Sequence, residues 1–175
     1  MKKTLFALTI ASLLSAPALA SKEGFYIGAD LASNSLDGNS FDTGIGLVAG
    51  YDFQVAPQFV VGIEGEYRNY GEDSYSEGEE FAKLSAYSYG INVKPKYYFN
   101  DNFYAGAQIG LHNLEEELKY NFIYEGSGKE SFNDTVLALG VEAGYDFNRN
   151  VSVKGGYKSM DSDYGTFYIG ANYKF

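Results

Sequence analysis

Two sets of side chains in this chain are of types that do chemistry. One is a lone histidine, His112. The other is a series of charged residues at even positions: Asp30, Glu64, Glu66, Arg68, Lys94, Glu142, Lys154 and Lys158. A histidine acts as a general base when an acid orients it and a nucleophile lies within hydrogen-bond reach. His112 is followed by Asn113 and Leu114, and no serine stands near it in strand register, so catalysis is not expected. The charged series mixes acids with bases. A buried charge without a partner is very costly, so such a mixture brought to one place should pair with itself. No metal-ligand cluster, phosphate-cradling glycine loop or basic patch stands in the sequence, and no cofactor is expected. The chain has no cysteine and hence no disulfide framework.

The elements that must position these residues are strands. Side chains alternate faces along a strand, and eight alternating runs are readable at about 24–33, 43–53, 59–70, 84–99, 103–113, 135–147, 151–160 and 165–175. Connections alternate in kind. Residues 54–58, 100–102 and 148–150 are tight and rich in Pro, Asn or Asp, as turns should be. Residues 34–42, 71–83 and 114–134 are longer and acidic, and 161–164 is short and acidic.

Parity separates the two faces. Odd positions carry Ile27, Leu47, Ile63, Ile91, Ile109, Leu139 and Ile169, and no charge within the runs. Even positions carry the charged series, Gln108, His112 and many glycines, among them Gly46, Gly50, Gly140 and Gly156. A soluble barrel would have an apolar inside and a polar outside. Here the charges crowd onto the glycine-rich face, which suits a narrow polar lumen. The apolar face suits lipid, and it is flanked by aromatic girdles. Tyr51, Phe53, Tyr97, Phe99, Phe103, Tyr145, Phe147, Tyr173 and Phe175 lie at one end, and Tyr67, Tyr87, Tyr89, Tyr157 and Phe167 at the other. Counted inward from the tight-turn ends, Asp30, Glu64, Lys94, Gln108 and Glu142 lie at one depth. Glu66 and Lys158 come next, then Arg68 and His112, with Lys154 shallower.

The last strand ends Gly170-x-x-Tyr173-x-Phe175, which resembles the C-terminal signal that the barrel-assembly machinery reads in bacterial outer-membrane proteins. The strand pattern as a whole resembles the small barrels of the OmpA transmembrane-domain and OmpX/Ail type. That resemblance implies an all-β, eight-stranded, up-and-down antiparallel transmembrane barrel, integral to a Gram-negative outer membrane. It also implies tight turns facing the periplasm and long connections facing outside. Lipid A deacylases share the architecture and use a Ser/His/acid arrangement; His112 lacks that setting.

Residues 1–20 read as a cleaved signal peptide, with a basic start at Lys2-Lys3, an apolar run from Leu5 to Leu14 and a cleavage site at Ala18-Leu19-Ala20. Residues 21–175 then form one barrel domain. The peptidoglycan-binding domain of full-length OmpA-type proteins is not expected, nor is anchoring to the cell wall.

The formal charge of −10 becomes −12 once Lys2 and Lys3 are removed, and the four long or acidic connections together hold all of it. Such a surface disfavours nucleic acid and repels lipopolysaccharide phosphates unless divalent cations bridge them. Within 118–132, Leu118, Tyr120, Phe122 and Tyr124 alternate before Gly126-Ser127-Gly128. This reads as a hairpin extending beyond the membrane, with 114–134 a candidate contact for an extracellular protein. The apolar phase has moved from odd at Leu111 to even at Leu118, so a bulge is expected near 114–117.

An eight-stranded barrel is just wide enough to be filled by side chains. The leading expectation is therefore a structural or surface-interaction barrel of adhesion type, plugged by ion pairs. A narrow, gated porin-like channel is the alternative, and a lipid-modifying enzyme comes last.

Overall fold

Alternating residues with β-branched and aromatic side chains on one face favour strands, and strands make up nearly all of the fold. The computed structural model describes residues 22–36, 39–40, 43–77, 80–122, 126–161 and 164–175; the leader expected over residues 1–20 lies outside them. Eight strands follow in chain order: β1 Gly24–Leu36, β2 Gly44–Ala56, β3 Phe59–Glu77, β4 Glu80–Tyr98, β5 Phe103–Phe122, β6 Gly126–Asp146, β7 Val151–Met160 and β8 Tyr164–Lys174. A two-residue piece, Asn39–Ser40, folds back onto the end of β1. Each strand pairs antiparallel with the next, and β1 pairs with β8 from Tyr26↔Lys174 to Leu36↔Tyr164. The sheet is closed, so its wall has no free edge.

The strands are unequal. β7 and β8 have 10 and 11 residues, whereas β3 to β6 have 19 to 21. β2 pairs with β3 only as far as Asn69, and β7 with β6 only from Ala138. Beyond those points β3, β4, β5 and β6 continue as a four-stranded sheet projecting from the long-connection end. The expected connections 71–83 and 114–134 are thus mostly strand: Glu72 pairs with Ser85, and Leu118 with Glu130.

The expected bulge at 114–117 is absent. Pairing of β5 with β6 runs unbroken from Phe103↔Tyr145 to Phe122↔Gly126, and its pairing with β4 keeps one register. Leu114 is buried on the inner face, in phase with His112. The backbone phase therefore does not change; the chemistry of the inner face does. Register shifts lie elsewhere, between Gln54 and Ala56 at the end of β2 and in β3 between Asn69 and Glu72, where Gly71 takes a φ of +89°. Glycine adopts that left-handed conformation without a Cβ clash.

Parity sorts the rest as the sequence reading had it. Ile27, Leu47, Ile63, Ile91, Ile109, Leu139 and Ile169 are exposed on the outside, while the charged even residues are buried inside. Aromatic rings ring the tight-turn end, with Tyr173 and Phe175 centred 5.2 Å apart and Phe25 and Phe175 5.7 Å apart. At the other end Tyr157 and Phe167 are 4.6 Å apart.

Candidate functional site

The lumen is built on a three-strand motif: a long polar side chain, a glycine directly across on the next strand, and a second long side chain beyond it. Asp30, Gly46 and Arg68 form one such row, Tyr26, Gly50 and Glu64 another, and Tyr168, Gly156 and Glu142 a third. The glycine leaves the gap across which its neighbours meet. A Cβ at position 46 would lie 2.6 Å from Asp30 Oδ1 and 2.7 Å from Arg68 Nη2. The glycines of the even face are therefore places where partner side chains lie flat.

Two clusters result. In the outer one Arg68 donates to both carboxylate oxygens of Asp30, at 2.7 and 3.1 Å, and to Glu66 at 2.8 Å. Glu66 also pairs with Lys158 and accepts from Asn92 Nδ2 at 2.9 Å. His112 Nε2 lies 2.9 Å from Asn92 Oδ1. The histidine thus meets an amide, and no hydroxyl or carboxylate hydrogen-bonds to it among the described residues. In the inner cluster Lys94 Nζ lies 2.6 Å from Glu142 and 3.3 Å from Glu64, with Lys154 3.7 Å from Glu64. Tyr26 donates to Glu64 at 2.9 Å and Tyr168 to Glu142 at 3.1 Å. Nearer the tight-turn mouth, Lys96 and Lys174 both hold Asp52, at 2.8 and 2.9 Å.

All eight charged residues singled out from the sequence are buried in this lumen. The depth reading did not place them all correctly. It grouped Asp30 with Glu64, Lys94 and Glu142; the structure joins Asp30 to Arg68, which had been placed deeper. Counting from strand ends ignores stagger, and the hydrogen-bond register that sets Asp30 opposite Gly46 and Gly46 opposite Arg68 overrides it. Lys154, placed shallower, joins Glu64. Of the residues in the C-terminal pattern, Gly170 faces inward against Asp30, while Tyr173 and Phe175 stack on the outside.

Both ends of the charged core carry buried apolar residues that the sequence reading passed over. On the outer side Tyr70, Ala86, Leu114, Ala138 and Met160 form a buried apolar cap, with Val136 against it. Tyr70 Oη lies 2.9 Å from Ser88 Oγ and donates to Met160 Sδ at 3.3 Å. On the other side Val60, Tyr98 and Tyr104 pack together. Parity alone could have flagged Tyr26, Tyr70, Tyr104, Met160 and Tyr168, since each is an even-numbered residue with an apolar body. Beyond them a vestibule of about 250 Å³ opens among Lys22, Asp52, Lys96, Asp146, Arg149 and Lys174.

Comparison with known proteins agrees with this architecture. Ail, the attachment invasion locus protein of Yersinia pestis, is 21% identical, with a TM-score of 0.60 over 87% of this chain and 97% of its own. The N-terminal β-barrel domain of Pseudomonas aeruginosa OprF is 13% identical, with a TM-score of 0.54 over 87% of this chain and 99% of its own. A major outer membrane protein of Thermus thermophilus is 15% identical, with a TM-score of 0.55 over 86% of this chain and 99% of its own. At these identities the likeness speaks to fold. Among curated proteins no sequence matches significantly. The outer membrane protein beta-barrel domain family matches residues 6–175, and to that family this chain belongs.

Proposed function

We propose that this barrel is a structural and surface-interaction protein of the outer membrane, with a lumen plugged by its own ion pairs. One observation carries the plug. Between an apolar cap and a partly aromatic floor, every buried lysine among the described residues and Arg68 lie within 4 Å of a carboxylate. An eight-stranded wall leaves room for little else.

The interaction half of the proposal rests on the projecting sheet. Among the described residues, Gly126–Val136 of β6 pair only with β5. The other side of that segment is a strand edge, and an edge offers main-chain hydrogen bonds to an added strand. Ail has been crystallised with the heparin analogue sucrose octasulfate. This chain's outer connections hold its whole negative charge, which disfavours such a polyanion. A neutral or basic extended protein segment fits better, as does lipopolysaccharide bridged by divalent cations. Replacing 118–132 by a tight turn should leave a folded barrel and abolish binding of expressing cells to a target surface. Binding that survives the replacement would contradict the edge proposal.

A gated channel is the second reading. Gln108 Nε2, His112 Nδ1 and Glu142 Oε1 are buried and make no hydrogen bond among the described residues. Spare polar valences of that kind are what an exchange of ion-pair partners would use.

A further inference from the structure

The vestibule at the periplasmic mouth is crossed by the short segment ahead of β1. Lys22 is in no strand, yet it touches much of the rim. Its backbone N–H donates to Gln54 Oε1 at 2.8 Å, at the end of β2. Its carbonyl accepts from Lys174 Nζ on β8. Its ammonium pairs with Asp146 on β6 at 2.7 Å and also donates to the carbonyl of Asp101 in the β4–β5 turn. The same ammonium sits 4.5 Å from the centre of the Tyr98 ring on β4. These contacts lie on walls that do not adjoin one another, so Lys22 spans the opening and does not merely extend β1.

We propose that this segment is a strap that closes the periplasmic mouth over the vestibule, with Lys22 as its clasp. The contact set supports a clasp more than a chance surface pair. A lone surface ion pair contributes little. Lys22 combines an ion pair, a cation–π contact and hydrogen bonds at both of its backbone polar groups, and Asp146 is only 14% exposed. Lys174 strengthens the arrangement, because the lysine that holds the strap's carbonyl also pairs with Asp52 at 2.9 Å. The strap is thereby tied to the seam where β1 meets β8, the last pairing needed to close the barrel.

The absence of cysteine makes the test direct. Ser152 lines the vestibule and stands opposite Asp146 in the pairing of β6 with β7, so S152C places a single thiol beside the clasp; S131C, on the exposed edge of β6, serves as the open reference. The full chain would be exported, purified from membranes in detergent and treated with a charged methanethiosulfonate. The S152C thiol should react slowly relative to S131C. Adding Lys22→Ala, which removes the Asp146 ion pair, the hydrogen bond to the Asp101 carbonyl and the cation–π contact but keeps both backbone hydrogen bonds, should speed its labelling roughly tenfold. Gln54→Ala, which removes the backbone partner but keeps the charge, should give an intermediate rate. The unfolding midpoint should fall in Lys22→Ala by no more than that tenfold change accounts for, and by less in Gln54→Ala. Equal rates for S152C with and without Lys22→Ala would overturn the strap. So would a midpoint that falls by more than the change in labelling accounts for, because Lys22 would then be acting on global stability and not on the mouth.

Discussion

Gly46 shows how closely the lumen is fitted. A methyl there would sit 2.6 Å from an oxygen of Asp30, so Gly46→Ala must push the Asp30–Arg68 pair apart. A cost of about 2–3 kcal/mol is expected, read by urea unfolding of the refolded barrel; an unchanged midpoint would mean that the pair is loose. The network also predicts a ranking. Arg68→Met leaves Asp30 without its hydrogen-bonded cation and should cost roughly 3–5 kcal/mol. Glu142→Ala leaves Lys94 still beside Glu64, at 3.3 Å, and should cost about 1–3 kcal/mol. The reverse order would show that the outer cluster is not the tighter one. At this scale the sequence told which residues point inward, because parity is local. It did not tell that Asp30 meets Arg68, because that depends on how far neighbouring strands slide past each other.

The elements carry two further predictions. Ile63 is 49% exposed on the outer face of β3, so it faces lipid. Ile63→Arg should cost roughly 2–4 kcal/mol in a bilayer, and a barrel indifferent to it would refute the face assignment. The projecting hairpin of β5 and β6 makes the opposite case. Trimming it above Leu114 keeps the apolar cap of Leu114, Tyr70 and Met160, and should leave the thermal midpoint within a few degrees of the parent. A collapse in stability would show that the projection is part of the barrel's core. The hairpin was legible from the alternation before Gly126, although Gly126-Ser127-Gly128, expected to break the run, is paired within β6. The bulge was misplaced for a physical reason. Apolar residues change from odd to even positions because the surroundings change from lipid to water outside the wall, while the strand itself continues without a break. The real bulge, at Gly71, left only a glycine as a sign in the sequence.

For the whole molecule, closure of the wall and closure of the lumen are separate matters. The first follows from eight strands with β1 paired to β8, and it was legible because the turn spacing and the aromatic ends repeat along the chain. The second depends on the apolar cap, the paired charges and the strap at the mouth, none of which repeats. The charge arrangement divides the molecule in the same way: in residues 21–175 the wall and lumen balance, and the long or acidic connections carry the net negative charge. The most direct test is single-channel recording of refolded residues 21–175 in a planar bilayer, with folding established separately by far-UV circular dichroism. A plugged lumen predicts silence across the usual range of voltage. Reproducible openings, altered by Arg68→Met or Glu142→Ala, would contradict the plug and make the paired charges a gate.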